Sequence, residues 1–231
     1  MIPWAEELLE ITTEGFPVEV SAEDRVFGYS CAYVARASAL LRSMVVSAHA
    51  EDRESIPIVY RVLFETWLFA VYLIKGGELV LKELDEHLNY EQGRVTRALA
   101  LTPPSGDSQR LSVETVARKV REQLGDDFPT RAYDIHYRVT SYHWSHGHLG
   151  SLTHFFFEDA QGTFVDAVRV DADALSSSTL FLAMGVSLVG GLANLATTTA
   201  NAPIDKGRLS DFLNSWQDAA NNYGVDSASK H

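Results

Sequence analysis

The sequence predicts an all-α protein, an up-and-down helical bundle with one small β-hairpin near residues 155–170. Three observations carry this prediction. "RVFGYSCAYVARASALLRSMVVSAHA" places apolar residues at helical spacing. "IVYRVLFETWLFAVYLI" is apolar almost all round, the pattern of a helix buried on most sides. "HFFFEDAQGTFVDAVRV" reads instead as two short strands about an Asp159–Gly162 turn.

The elements follow in order. Residues 1–20 read as an amino-terminal extension. Ser21-Ala-Glu-Asp24 supplies a cap and early acids, starting a helix that runs to about Ala50. "EDRES" connects it to a second helix with Pro57 in the first turn, where the missing N–H is tolerated. Lys75-Gly76-Gly77 ends that helix, and a polar helical stretch follows from about Glu78 to Leu101. After the breaker "TPPSGDS", a helix opens at Ser112. "GDDFPT" then turns the chain into a histidine-rich helix after Pro129. Beyond the hairpin come an uncharged helix within Ala174–Ile204 and an amphipathic helix around "RLSDFLNSWQDAANN". Residues 222–231 read as a flexible tail. The chain shows no internal repeat and no linker, so 1–231 is taken as a single helical domain.

Composition narrows the function classes. A net charge of −12 argues against duplex DNA, which wants a basic face. Cys31 stands alone, so no internal disulfide forms and a reducing compartment fits. The amino terminus has no basic region and no long apolar run, so no secretory signal is expected and the cytoplasm is the expected compartment. The uncharged 174–204 stretch is interrupted by Gly185, Ser187, Gly190, Gly191 and Asn194. A span needs about 20 predominantly apolar residues, so a closely packed core helix, with no membrane crossing, is the expectation.

Two features carry candidate chemistry. Between Ile58 and Ile74 the only charges are Arg61 and Glu65, four residues apart on one helix face. Buried charges are costly unless paired, so a buried ion pair touching the 133–148 helix is expected. The functional reading of the same pair is that Arg61 faces a cavity and holds a polar or anionic group. The second feature is "HYRVTSYHWSHGHLGSLTH", which holds five of the eight histidines. On a regular helix His136 and His143 share a face, with His146 one turn beyond, and Tyr137, Ser141, Trp144 and His148 form another. A zinc site would draw on His136, His143 and His146, with Asp134 nearby, but the chain has no HExxH or CxxC spacing, and no metal or cofactor is favoured. Ser141 lies on a helix rather than in a strained elbow, which argues against a serine nucleophile.

Two resemblances bear on these residues. From about Ala35 to the last helix the chain resembles a bacterial helical family of unknown function, domain of unknown function 5677. The resemblance rests on Arg61 followed four residues later by Glu65, and on the Tyr137-x-x-x-Ser141 step. That family places a histidine four residues after the serine, where this chain has Ser145 among His143, His146 and His148. The resemblance implies a helical fold with a polar core, built here from Arg61, Glu65, Tyr137, Ser141, His146 and His148. Arg138 and His143 resemble the Arg-x4-His spacing of the helical ribonucleases of the HEPN superfamily, found in toxins and phage defence. That resemblance implies metal-independent RNA cleavage with catalytic Arg138 and His143, in a homodimer. Arginine and histidine suit the chemistry, as a phosphate-holding cation and a near-neutral acid or base.

The leading expectation is therefore a cytoplasmic bundle with a polar pocket, binding a small ligand or a protein partner. The alternatives are a HEPN-like ribonuclease acting on RNA and a histidine-ligated metal protein.

Overall fold

The computed structural model describes residues 1–52, 54–99, 101–102, 108–137, 156–159, 162–165 and 172–228. At 135–136, in the hairpin, at 172–177 and beyond 221 it describes the backbone alone.

Residues 1–20 are more than an extension. Ile2–Thr13 forms α1, and Ala5, Leu8, Leu9, Ile11 and Thr12 are buried. Positions 5, 8, 9 and 12 make one helical stripe, which the bundle buries as part of its core. Helix α2 (Arg25–His49) starts on Asp24, whose carboxylate accepts from the Phe27 N–H at 3.1 Å. It packs on α1 through a buried polar link. Ser38 donates to Thr12 Oγ1 at 3.0 Å, and Thr12 donates to the Leu8 carbonyl at 2.9 Å. Both hydroxyls are thereby matched at no cost in packing.

Helix α3 spans Ser55–Ala98, with a kink at Gly77 (φ 58°, ψ −140°). That backbone conformation is one glycine adopts readily and other residues rarely. The kink divides a mostly buried arm (55–76) from a distal arm (78–98) that is more exposed, with Leu79, Leu88 and Val95 open to solvent. Helix α4 (Val113–Leu124) begins on Ser112, whose hydroxyl accepts from Thr115 N–H, and ends at Gly125 with φ 65°. The short α5 (Phe128–Ala132) leads into a π-helical turn, Tyr133–Tyr137. The strands β1 (Phe156–Asp159) and β2 (Gly162–Val165) pair antiparallel, from Phe156 opposite Val165 to Asp159 opposite Gly162.

Helix α6 (Ala172–Thr199) occupies the centre of the bundle. A Cβ on Gly185 would lie 3.3–3.4 Å from Leu41, Met44 and Leu63, and one on Gly190 would lie 2.9 Å from Leu213. The small residues therefore set how closely α2, α3 and the last helix, α7 (Lys206–Ala228), approach α6. Backbone helix in α7 continues to Ala228, into the stretch read from sequence as a tail. Trp216 on α7 donates to Ser187 Oγ at 3.0 Å and packs edge-on against Trp4 of α1. Arg208 ties the start of α7 back to Glu10 and Glu14.

The run Ser178–Thr199 and helix α3 are both long and apolar enough to cross a membrane by length and composition. Most of each apolar window, 56% and 67%, is buried inside the bundle.

Candidate binding cleft

The two charges between Ile58 and Ile74 of α3 do not pair. Arg61 and Glu65 are each half-buried, and no ion pair within 4 Å joins them among the described residues. The reason lies in side-chain direction. Helical side chains lean toward the amino terminus, so an arginine that precedes its glutamate by one turn leans away from it. Arg61 reaches Tyr137 instead, donating from Nη2 at 3.1 Å, with its guanidinium carbon 4.8 Å from the ring centroid. Tyr137 is further packed by Tyr133, stacked at 5.1 Å, and by Phe64 at 6.3 Å. Arg61 Nε is buried without an acceptor among the described residues.

The structure thus brings Arg61 to Tyr137 but turns Glu65 elsewhere. Face assignments made at α-helical spacing also fail near Tyr137, because 133–137 is a π turn and winds more widely. His136 lies in that turn, and Asp134 is exposed. Arg138, Ser141, His143, His146 and His148 lie outside the described residues, and so do the RNA-cleavage and polar-pocket expectations that rest on them. Among the described residues no group of three His, Cys, Asp or Glu could hold a metal ion.

Glu65 lines a cleft of about 440 Å³ between α2 and both arms of α3. Helix α2 contributes Tyr29, Tyr33 and Arg36, and the first arm of α3 contributes Val62, Glu65, Thr66, Phe69 and Leu73. The distal arm closes it with Leu81, Leu84, Asp85, His87, Leu88 and Glu91. The kink at Gly77 lies between the two α3 contributions, so its geometry helps set the shape of the cleft.

Several wall groups are already engaged. Arg25 pairs with Asp85 at 2.9 Å and lies 5.7 Å over the Tyr29 ring. The Asp85 hydrogen bond holds the Arg25 guanidinium even more firmly charged than usual. Glu91 meets Arg94 at 3.3 Å. His87 stacks on Phe69 at 6.0 Å, and its Nδ1 accepts from the Leu111 N–H at 3.2 Å. That contact assigns the neutral-ring proton to Nε2. Burial pushes the Tyr33 phenol up to about 12, with Arg36 opposing and Tyr29 adding to the shift, so Tyr33 stays a neutral hydroxyl near neutrality.

A separate polar cluster clamps the kink from α4. Tyr72 donates to Glu83 Oε2 at 2.8 Å across Gly77, and Lys119 donates to the Tyr72 hydroxyl at 2.7 Å and to Glu83. Burial works to raise the Glu83 carboxyl, but hydrogen bonds from Lys119 and Tyr72 outweigh it and hold it below its ordinary value. Burial likewise works to lower Lys119, and the bonds to Glu83 and Tyr72 raise it above its ordinary value. Both directions favour the charged pair.

Sequence reading missed most of this cleft. One signal was present: Tyr29, Tyr33 and Arg36 recur at i, i+4 and i+7, one face of α2. Asp85, His87 and Glu91 carry no such signal, because the kink decides which way the distal arm faces. No protein-family model, curated protein or solved structure matches the chain.

Proposed function

We propose that this protein is a ligand-binding module whose cleft between α2 and the two arms of α3 takes a small molecule with an apolar body. The cleft itself carries the reading. Its volume, about 440 Å³, falls within the roughly 300–1,000 Å³ of small-molecule sites. Its walls combine aromatic and leucine side chains with a few polar groups, the mixture that buries a ligand and orients it. The Arg61–Tyr137 contact belongs, on this reading, to the scaffold beside the cleft.

Thermal-shift screening of a small-molecule collection tests the proposal. A ligand at free concentration L that binds only the folded state stabilises it by RT ln(1 + L/Kd), so Tm rises with ligand concentration. The expected result is one or more compounds that stabilise the native chain but not Leu84→Trp, which fills the cleft. Val62→Phe serves as a second filling variant should Leu84→Trp fold poorly. Compounds that stabilise the native chain and both filled variants equally would place binding elsewhere and reject the cleft.

A further inference from the structure

Resting on the cleft reading above, we infer that the ligand is an organic cation with an apolar or aromatic body, and that Glu65 is the anion that holds its charge.

The charges lining the cleft divide into engaged and free groups. Asp85 is engaged by Arg25 and Glu91 by Arg94. Glu65 has neither a hydrogen bond nor an ion pair among the described residues, and its neighbour Arg61 is committed to Tyr137. It nonetheless stands half-buried on a helix arm whose adjoining Leu63, Phe64, Thr66 and Trp67 are buried. A carboxylate drawn out of water without a countercharge is unfavourable, and a cation entering the cleft would remove that cost. Arg36, the remaining cation of the wall, is exposed at the surface of α2, where solvent screens it.

The aromatic wall agrees with this sign of charge. Tyr29, Tyr33 and Phe69 border the same space, and ring faces attract cations. One of them, Tyr29, already has a guanidinium over it, that of Arg25. An anionic ligand would meet the opposite conditions: ring faces that repel it, three carboxylates in the wall, and an exposed arginine as its available partner.

Calorimetric titration at low salt and pH 7 tests this with three probes of one shape: 2-phenylethylammonium, 2-phenylethanol and 3-phenylpropionate. The ammonium is expected to bind about tenfold more tightly than the alcohol, with the carboxylate weakest. Glu65→Gln should abolish the ammonium preference, leave alcohol binding unchanged and leave Tm unchanged or slightly raised, since Glu65 makes no hydrogen bond or ion pair among the described residues and its half-burial without a countercharge is unfavourable. Equal binding of all three probes would overturn the charge assignment while leaving the cleft reading intact. Tightest binding of the carboxylate would overturn it in favour of Arg36. A lowered Tm in Glu65→Gln would make Glu65 a structural group and also overturn it. Absence of binding by every probe at millimolar concentration would count against both proposals.

Discussion

Arg61 and Tyr137 meet across 76 residues of sequence, the guanidinium donating to the phenol oxygen at 3.1 Å while lying 4.8 Å over the same ring. This contact ties the apolar arm of α3 to the π turn that follows α5. The guanidinium also keeps one buried N–H, on Nε, without an acceptor among the described residues, so the site has little reserve if another partner is lost.

Tyr137→Phe keeps the ring and removes the acceptor, and is expected to destabilise the fold by about 1–2 kcal/mol. Arg61→Met removes the charge together with its need for partners, so the double variant should cost less than the sum of the two single ones. Urea unfolding of all four proteins gives the coupling energy. A coupling below about 0.3 kcal/mol would show that the two side chains act independently.

Two glycines offer a contrast in backbone alone. An added Cβ meets nothing within 4 Å at either Gly77 or Gly191. At Gly77 the backbone holds φ 58° and ψ −140°, so Gly77→Ala should cost about 1–3 kcal/mol. Gly191 is exposed within helix α6, where Gly191→Ala should add up to about 1 kcal/mol. Thermal melts should therefore move in opposite directions. If both variants gain stability, the break in α3 is not a backbone requirement.

The kink clamp predicts a dependence on pH. The Glu83 carboxyl is held below its ordinary value of 4.5. Its contribution is therefore fully present above that value and is lost as pH falls through the lowered folded-state value. Lys119 is raised above 10.5, so its contribution holds through neutrality and fades only as pH rises past the raised value. The two side chains are 36% and 30% exposed, which limits the effect to no more than about 1 kcal/mol. Glu83→Gln should flatten the fall in Tm between pH 5 and pH 3. Parallel wild-type and variant curves across that range would remove the clamp from the account of acid stability.

The sequence by itself determined where several of the helices run. Apolar spacing placed α2 and the first arm of α3, capping residues placed Asp24 and Ser112, and the small residues of 180–195 marked a helix built for close packing. Each of these depends on residues within a turn or two of one another, so each is written locally. The same spacing was present in Ala5, Leu8, Leu9 and Thr12, yet nothing local distinguishes a stripe that finds a partner from one that does not. Tertiary structure decided that α1 belongs to the core. It also decided the partners of Arg61 and Glu65. Four-residue spacing puts both on one face, but the amino-terminal lean of helical side chains and a tyrosine 76 residues away separate them. The cleft depends most on tertiary structure. One backbone angle pair at Gly77 sets the direction of the distal arm, and with it which of Asp85, His87 and Glu91 come to face Tyr33 and Glu65. A turn of chain fixes a helix, whereas a site shared by two helices is fixed only when their packing is.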